Sequence, residues 1–416
     1  LLSLTLGLEL DIQNETSIKE AASTIAGKLI SLYPNGGPDA EQAKVGLFEY
    51  PPYYWWQSGA AWGGLVDYAA YTGDTQYVET TTTALLAQTG PDNDYMVPEH
   101  KFDEGNDDQA FWGLALLNCI ENGFPNPPPS TGKPSWLQLV EALINTQTPR
   151  WDMGSCGGGL KWQIYPENDY GYNYKNAISN GAYFQMAARL ARYTGNTTYI
   201  EWANKAWNWS EAIGLISPSF QVFDGTDDKK NCSDLNHLQF SYNVAVYLHG
   251  AAHLYNISAA HDPTSPDTQT WSDRTRGLLV SATSTFFTPA PNATDIMYEA
   301  ACEPYDTCNT DMRSFKAYMF RWLAKASLLF PDLAAQIRPL IETNARAAAT
   351  SCSGGDDGVT CGHRWDTGDW DGMEGLGEQM SALEAVQALL VANGGAPRKA
   401  GNVTDPAVRL PGPSEV

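Results

Sequence analysis

Cations are scarce in this chain. Its 416 residues include 25 Lys and Arg against 48 Asp and Glu, which gives a formal net charge of −23. Nucleic-acid binding needs a basic face that neutralises phosphates, and the sequence shows no such stretch. The acidic residues are spread along the chain rather than gathered in a tail. We therefore expect no nucleic-acid partner, and solubility is the simplest role for the acidity.

Several functional motifs are also missing. The six His residues and the Cys residues show no zinc-ligand spacing, so we expect neither a metal nor another cofactor. No GxSxG is present, which argues against a serine nucleophile. The glycines at 157–159 lack the GxxxxGK[ST] and GxGxxG patterns, which argues against nucleotide binding. No apolar run reaches the length of a bilayer span.

The Cys residues and the sequons favour the secretory pathway. The seven Cys leave one odd thiol, and Cys119, inside an apolar helical run, is the candidate for it. The spacings and the remaining pair suggest three disulfides, which are Cys302–Cys308, Cys352–Cys361 and Cys156–Cys232. Seven N-x-[ST] sequons begin at Asn14, Asn196, Asn208, Asn231, Asn256, Asn292 and Asn402.

The two ends of the chain differ from its centre. Residues 1–7, LLSLTLG, are similar to the end of a signal-peptide hydrophobic region. Residues 396–416 read as a polar tail with Pro and Gly, and a GPI-anchor signal, where the natural protein carries one, would lie beyond them. We expect residues 8–395 to form one domain, since no shift in composition divides them.

Helical periodicity dominates the chain. The stretch AWGGLVDYAAYTGDTQY at 61–77 matches AYFQMAARLARYTGNTTY at 182–199, and in both a Gly after Tyr-Thr can form a left-handed helix cap. The repeat predicts helical hairpins, and we interpret the chain as all-α, with six hairpins closed into an (α/α)6 barrel. An open α-solenoid is the alternative, and short strands are possible near 151–175 and 352–375. The expected helices are 17–33, 58–72, 76–90, 107–122, 135–148, 179–194, 197–213, 239–257, 269–287, 311–330, 332–350 and 378–393.

The sharpest local feature is HKFDEGNDDQAFWGLALL at 100–117. Gly105 and Asn106 break regular structure, and Asp107 and Asp108 open a helix. Acids at a helix start are stabilised by the helix dipole, which is a purely structural explanation of the pair. The pair is also a candidate carboxyl dyad, because side chains of consecutive helical residues can place their carboxyl groups about 5–6 Å apart, as retaining glycosidases need.

Four further segments supply candidate substrate-binding residues at loops and helix starts. Aromatic side chains there can stack on the apolar faces of sugars, and amide and ammonium groups can bond hydroxyls. His249 and His253 are four residues apart, but no metal motif accompanies them, so we interpret them as ordinary buried or surface histidines. The candidates are Trp56 and Gln57 in 49–64, Lys175 and Asn176 in 156–181, Tyr242 and Asn243 in 240–255, and Trp365 in 363–379.

The sequence resembles glycoside hydrolase family 76, the endo-α-1,6-mannanase family, and within it the fungal GPI-anchored cell-wall branch. The resemblance runs collinearly from residue 8 to about residue 390. Its carrying segments are LELDIQNETSIKEAASTIA (8–26), YYWWQSGAAWGGLVDYAAYTGD (53–74), GNDDQAFWGLA (105–115), GGGLKW (157–162), YKNAISNG (174–181) and FSYNVAVYLHGAAHLY (240–255).

The resemblance implies an (α/α)6 barrel and a retaining mechanism with Asp107 as nucleophile and Asp108 as acid/base. It also implies an α-mannoside substrate, in the fungal branch the mannose-containing core glycan of GPI-anchored proteins, and transfer to wall β-glucan. A secreted, GPI-anchored monomer at the outer face of the plasma membrane or in the cell wall would fit this role. Two alternatives remain, which are a non-catalytic glycan-binding wall protein and another (α/α)6 enzyme such as an unsaturated-uronide hydrolase.

Overall fold

A computed structural model describes residues 7–37, 39–290, 292–400, 410–414 and 416. These residues form fourteen α-helices, and twelve of them have ten residues or more. The helices are α1 Glu15–Ser31, α2 Trp55–Thr72, α3 Val78–Ala87, α4 Asn106–Asn122, α5 Trp136–Gln147, α6 Asp169–Tyr172, α7 Ala177–Thr194, α8 Thr197–Ala212, α9 Ser241–His261, α10 Pro266–Phe286, α11 Phe315–Leu329, α12 Ala334–Ser351, α13 Leu376–Gln387 and α14 Val391–Gly394.

Six of the long helices form a closed inner ring in the order α2, α4, α7, α9, α11 and α13, and α13 packs against α2 to close it. The inner helices are buried on all sides; in α7, every residue from Ala177 to Arg192 is buried. The outer helices α3, α5, α8, α10 and α12 each pack on the inner helix before them, while α1 packs on α13. The (α/α)6 prediction is confirmed, and closure of the ring excludes the open solenoid.

Helix positions follow the sequence closely, because their periodicity and caps are local. Gly73 and Gly195 end α2 and α7 in the left-handed conformation, with φ of 78° and 74°. The predicted start of α10 was three residues late: Ser265 accepts from the Thr268 N–H, and Pro266 opens the helix. These caps fix the hairpin turns at the repeat.

Five short strands join the loops, namely β1 Tyr174–Asn176, β2 Gly225–Asp227, β3 Leu235–Asn236, β4 Cys352–Gly354 and β5 Thr360–Cys361. The first three form an antiparallel sheet in the order β1-β2-β3, and β4 pairs with β5. Strands were expected near 151–175 and 352–375, and β1, β4 and β5 agree with this. β2 and β3 were not predicted, because strands of two or three residues show no readable alternation of apolar and polar side chains. β1 runs directly into α7 and so holds Asn176 at the helix start.

Ion pairs link the inner helices near their C-terminal ends. Arg189 of α7 bonds Glu121 of α4 at 2.7 Å, and Lys325 of α11 lies 2.9 Å from Asp67 of α2. Both pairs are buried. Glu121 lies fourteen residues beyond Asp107 along α4, a rise of about 21 Å, so this part of the interior is filled and distant from the carboxyl pair.

Three disulfides join Cys302 to Cys308, Cys352 to Cys361 and Cys156 to Cys232, which are the expected pairs. Cys119 is a buried free thiol, as expected. The Asn256 amide accepts from Arg192 Nε at 2.8 Å and donates to the Leu329 carbonyl at 2.9 Å, so this sequon is engaged in packing. Asn14, Asn208, Asn231 and Asn292 are exposed, Asn196 is partly exposed at the N-cap of α8, and Asn402 lies outside the described residues.

The described part of the C-terminal segment contacts the barrel. The Ala400 N–H donates to the Tyr193 carbonyl at 2.8 Å, and the Trp202 indole N–H donates to the Pro411 carbonyl at 2.7 Å. Leu410 is buried. Residues after 395 therefore belong in part to the packed domain. None of the helices described is both long and apolar enough to cross a bilayer.

Candidate active site

The inner helices direct their N-terminal ends toward one cavity of about 360 Å³. Trp56, Asp107, Tyr242 and Phe315 lie in the first turns of α2, α4, α9 and α11, and Asn176 caps α7; all five line the cavity. Helix N-termini carry partial positive charge, so this end of the barrel favours negative groups. The fold thus brings together side chains that are far apart in sequence.

Asp107 and Asp108 occupy the first turn of α4. The Asp108 Oδ2 atom accepts from the Gly105 N–H at 2.7 Å, in the manner of a capping acid. The Asp107 Oδ1 atom accepts from the Asp108 N–H at 3.1 Å, and its Oδ2 atom accepts from the Asn176 side-chain amide at 3.1 Å. Both carboxyl groups are held by local bonds while they line the cavity.

Gly105 allows the two carboxyl groups to lie this close to the backbone. A Cβ atom added there would be 2.5 Å from Asp107 Oδ1, 2.6 Å from Asp108 Oδ2 and 2.9 Å from the Trp162 carbonyl oxygen. The two carboxylate oxygens are therefore no more than about 5 Å apart, no wider than the separation in a retaining glycosidase, and a side-chain hydrogen bond joins the two carboxyl groups. The Asn106 N–H also donates to the Trp162 carbonyl at 2.8 Å, which pins the start of α4 to the 160–163 loop.

Burial separates the acidities of the two groups. It raises the pKa of Asp107 to about 6, and hydrogen bonds from Asn176 and from backbone N–H groups limit the rise. Burial and the negative charge of Asp107 together raise the pKa of Asp108 well above its ordinary value. As the pH rises, Asp107 therefore loses its proton before Asp108, and the pair passes through a state with one carboxylate, Asp107, beside one carboxylic acid, Asp108. That is the state in which one group can attack and the other can donate a proton.

Aromatic rings wall the cavity. The Trp56 ring lies 4.5 Å from Phe111, and the Tyr242 ring stacks on Phe315 at 3.8 Å with a 7° interplanar angle. The Trp162 ring also lines the cavity and packs edge-on against Tyr170 at 5.6 Å. Such walls offer flat apolar faces to a sugar ring, between polar groups that can fix its hydroxyls.

Three more carboxyl groups line the cavity besides the pair, namely Asp103, Asp224 and Asp311. Burial raises the pKa of Asp311 to about 6, and a hydrogen bond from the Trp56 indole opposes the rise. Asp224 accepts from the Tyr174 hydroxyl at 2.7 Å. No Lys, Arg or His side chain is among the described residues that line the cavity. An acidic cavity of this kind suits neutral or amine-bearing ligands and disfavours carboxylates.

Five predicted site residues thus meet at the cavity, which are Asp107, Asp108, Trp56, Asn176 and Tyr242. The other four candidates lie elsewhere, in positions that the sequence pattern does not separate from cavity positions. They are Gln57, Lys175, Asn243 and Trp365.

Gln57 and Lys175 hold backbone instead of facing the cavity. Gln57 is fully buried, accepts from the Tyr54 N–H at 3.0 Å and donates to the Thr310 carbonyl at 3.3 Å. The Lys175 ammonium is also fully buried; it donates to the Gly158 carbonyl at 2.6 Å and pairs with Asp152 at 3.0 Å. We expected Gln57 and Lys175 to contact substrate, but neither lines the cavity, because their polar groups form these bonds instead.

Asn243 and Trp365 are core residues. Asn243 is fully buried in α9, one residue beyond Tyr242, and does not line the cavity. Trp365 is 1% exposed, and its ring packs on Phe320 at 5.6 Å with the Lys316 ammonium 4.8 Å from its centre. Neither is assigned a contact with substrate.

Asp311, Asp224 and Trp162 also line the cavity, and they were not among the predicted site residues. Asp311 lies four residues before α11, close to a helix start as the other cavity residues are, and that signal could have found it. Trp162 lies in the segment 156–181, which supplied two candidates, but nothing in the local sequence indicated that its side chain faces the cavity. Asp224 is brought in by β2 pairing with β1, which has no readable pattern in the sequence. Within the described parts of the chain, no group of three or more His, Cys, Asp or Glu side chains is arranged to hold a metal.

The comparisons with known proteins agree on one family. A sequence model of glycosyl hydrolase family 76 matches residues 17–401. The chain is 43% identical over 393 residues to a putative mannan endo-1,6-α-mannosidase of Schizosaccharomyces pombe, covering 94% of this chain and 84% of that protein. It is 45% identical over 382 residues to the mannan endo-1,6-α-mannosidase DCW1 of Candida glabrata, covering 91% of this chain and 81% of that one.

Solved structures of similar shape include Dfg5 from Chaetomium thermophilum in complex with glucosamine. It matches with a TM-score of 0.86 at 39% identity, covering 94% of each chain. An inactive variant of an α-1,6-mannanase from Salegentibacter sp. HEL1_6, in complex with α-1,6-mannotriose, matches with a TM-score of 0.66 at 19% identity. That match covers 90% of this chain and 99% of the other. At 19% identity, the match to the α-1,6-mannanase supports the barrel fold alone.

Proposed function

The chain belongs to glycosyl hydrolase family 76, and from this premise we propose that it is a retaining glycosidase or transglycosidase acting on α-mannosides. Its catalytic groups are Asp107 as nucleophile and Asp108 as acid/base. The observation that carries the proposal is the carboxyl pair itself: two acids within about 5 Å in an aromatic-walled cavity, whose singly ionised state has the charge on Asp107 and the proton on Asp108.

The chemistry follows from that protonation state. The Asp107 carboxylate attacks the anomeric carbon of a bound α-mannoside, while the Asp108 carboxylic acid gives its proton to the departing glycosidic oxygen. A covalent mannosyl–Asp107 ester then forms, and Asp108 is left as a carboxylate. Asp108 next takes the proton from a water or sugar hydroxyl, whose oxygen displaces Asp107. Two displacements at one carbon leave the α configuration unchanged.

The cavity has two sides relative to the pair. Asn176 bonds Asp107, and the charge of Asp107 acts on the Tyr242 hydroxyl, so this side suits the sugar that is attacked. Tyr170 also lines the cavity and is 60% exposed, and we assign its side to Asp108. The group protonated by Asp108 leaves on that side, and the acceptor enters there. The exposed rings of Tyr170 and Tyr54 give a neutral glucan chain flat surfaces to stack on.

The acidic lining supports a GPI core glycan as donor. That glycan joins mannose to a glucosamine with a free amine, and a related Dfg5 is known in complex with glucosamine. A cationic amine gains from the ionised Asp side chains of the lining and would meet no cation among the described lining residues. An unsaturated uronide, which brings a carboxylate, fits the same lining poorly. We propose transfer of the mannosyl part to a β-glucan hydroxyl, by a secreted, GPI-anchored monomer at the cell surface or wall.

The proposal is tested by incubating the protein with a GPI-core mannoside, with and without an oligomeric β-glucan acceptor. With acceptor we expect a new product whose mass equals donor fragment plus glucan, and NMR of the first-formed linkage should show the α configuration. The comparison without acceptor separates transfer from hydrolysis. A β-linked first product would remove Asp107 from the nucleophile role. Glycan binding without any product, which also survives Asp107→Asn, would favour the binding-protein alternative.

The pKa separation predicts a bell-shaped dependence of kcat/KM on pH. Activity requires ionised Asp107, so the rate should rise with increasing pH up to about 6, the pKa of that group. It also requires protonated Asp108, whose pKa is raised well above the ordinary value, so the rate should fall only at higher pH. Measuring kcat/KM from pH 4 to 9 checks this. A plateau that begins near pH 4 would contradict the burial of Asp107 as its controlling feature.

A further inference from the structure

A second cavity of about 370 Å³ lies next to the catalytic one. The two share Gln163, and the second is also lined by Asn106, which directly precedes Asp107. The loop 161–164 forms the wall between them, held to α4 by the Asn106 side-chain amide, which donates to the Lys161 carbonyl at 2.8 Å. A branch of a glycan seated on the carboxyl pair needs only to pass this wall to enter the second cavity.

The charges of the two cavities differ in sign. The catalytic cavity has five Asp and no cation among its described lining residues, whereas two cations, Arg150 and Lys161, and one acid, Asp152, line the second one. This difference is notable in a chain with 25 cations and 48 anions, where exposed cations usually pair with acids. A cavity that gathers two cations attracts an anionic group.

Arg150 has no carboxylate partner at ion-pairing distance in the parts of the chain that the structure describes. Its guanidinium donates to Gln109 Oε1 and to the Met96 sulfur, and its Nε atom meets no hydrogen-bond partner there. Glu104 acts on it, but burial raises the pKa of Glu104 to about 8, so that acid is mainly neutral at pH 7. Asp94 acts more weakly. The Arg150 guanidinium therefore has no acid in direct contact to offset its charge.

Lys161 is only partly compensated. Its ammonium lies 2.7 Å from Asp228 and 4.0 Å from Asp152, while Asp152 also pairs with Lys175 at 3.0 Å. The carboxylates of Asp228 and Asp152 thus pair with Lys161 and Lys175, and neither reaches Arg150. Arg150 is the cation of this group that an anionic ligand would pair with.

We propose that the second cavity binds a phosphate group carried by the donor glycan, an inference that rests on the function proposed above. A phosphate ester offers oxygens that accept from the guanidinium and ammonium groups together, which a neutral sugar cannot do. The shared wall at Gln163 places this group beside the sugar that Asp107 attacks. The second cavity is then a specificity site that selects phosphate-bearing donors.

The kinetic test uses two synthetic α-mannoside donors that differ only by one phosphate ester on a neighbouring residue. The ratio of their kcat/KM values is measured for the parent, for Arg150→Gln and for Lys161→Gln, each checked by circular dichroism and melting temperature. We expect the parent to prefer the phosphorylated donor about tenfold, mainly through KM, and each variant to lose most of that preference. The ratio of the two kcat/KM values is used because a general loss of active enzyme lowers both values equally.

Lys19→Gln is the matched control, since Lys19 is an exposed cation on α1 in a pair with Glu15. It removes the same charge from the chain far from either cavity and should keep the parent ratio. An equal loss in all three variants would overturn the site, because it would reflect net charge alone. No preference in the parent would overturn it as well.

Calorimetric titration of the parent with inorganic phosphate, against sulfate and chloride at equal ionic strength, separates this inference from the proposed activity. Phosphate binding that Lys161→Gln weakens, in an enzyme that turns over neither donor, would keep the anion site and remove the α-mannoside function. Phosphate binding without any donor preference would show a site for the free ion and overturn the assignment to the glycan. Absence of binding together with a ratio of one removes the site entirely.

Discussion

Asp107→Asn is expected to lower turnover of an α-mannoside by roughly 10⁴-fold or more, because it removes the nucleophile while it leaves binding groups in place. The Asn side chain matches Asp in shape and can still accept from the Asp108 N–H. The measurement is kcat with the donor saturating, together with mass spectrometry for the covalent intermediate. Turnover within tenfold of the parent would remove Asp107 from the mechanism.

The same variant should gain stability at neutral pH, and this separates a catalytic role from a capping role. Folding raises the pKa of Asp107 to about 6, so its ionised form costs stability above pH 6 and costs nothing below pH 4, where both states are protonated. Asn removes this cost, which is up to about 3 kcal/mol. Thermal unfolding at pH 4 and pH 7.5 should show the gain only at the higher pH.

Asp267→Asn is the matched control, since Asp267 is an exposed acid in the first turn of the outer helix α10. If a helix-opening acid acts only on the helix dipole, its loss costs about 0.3–1 kcal/mol and leaves turnover unchanged. We expect this result for Asp267. If the Asp107 variant likewise kept its turnover, stabilisation of the helix dipole alone would explain the acidic pair.

Gly105→Ala is expected to lower kcat by about 10²-fold or more without touching a catalytic atom. The new Cβ would lie 2.5 Å and 2.6 Å from oxygens of Asp107 and Asp108, and the Trp162 carbonyl at 2.9 Å blocks a shift in the third direction. The carboxyl groups must then turn or the start of α4 must move. The effect should appear in kcat more than in KM, because the aromatic walls remain.

Gly37→Ala provides the control for this change. A Cβ at Gly37 meets no atom within 4 Å, and its backbone does not adopt a positive φ. We expect parent activity in that variant and a melting temperature close to the parent value. Retention of more than a tenth of kcat in Gly105→Ala would mean that the pair tolerates displacement, and the close approach at Gly105 would lose its catalytic meaning.

The fold and the carboxyl pair could be predicted from the sequence, since both depend on local residues. Apolar residues at helical spacing and Gly caps after Tyr-Thr gave all twelve long helices to within a few residues. The pair Asp107-Asp108 was visible because a Gly-Asn break and a helix start frame it within five residues. Its capping explanation could not be dismissed from the sequence, because capping and catalysis place the same residue types at the same position.

Tertiary structure decided which neighbours of the motifs reach the cavity. Gln57 and Asn243 adjoin the cavity residues Trp56 and Tyr242, yet a step of about 100° along a helix turns them into the protein interior. Asp224 and Asp311 enter the cavity because β2 pairs with β1 and because α11 starts beside α2, and contacts of such long range leave no trace in local pattern.

The amino-acid sequence by itself determined the helices, their caps and the adjacent acids, since each depends on residues within one or two turns of one another. Only the closed ring decided that five helix starts converge on one acidic cavity, that the pKa values of the two acids separate, and that an unpaired Arg150 borders a second cavity. Burial and charge depend on every element packed around a group, and the packing of distant segments exists only in the folded chain.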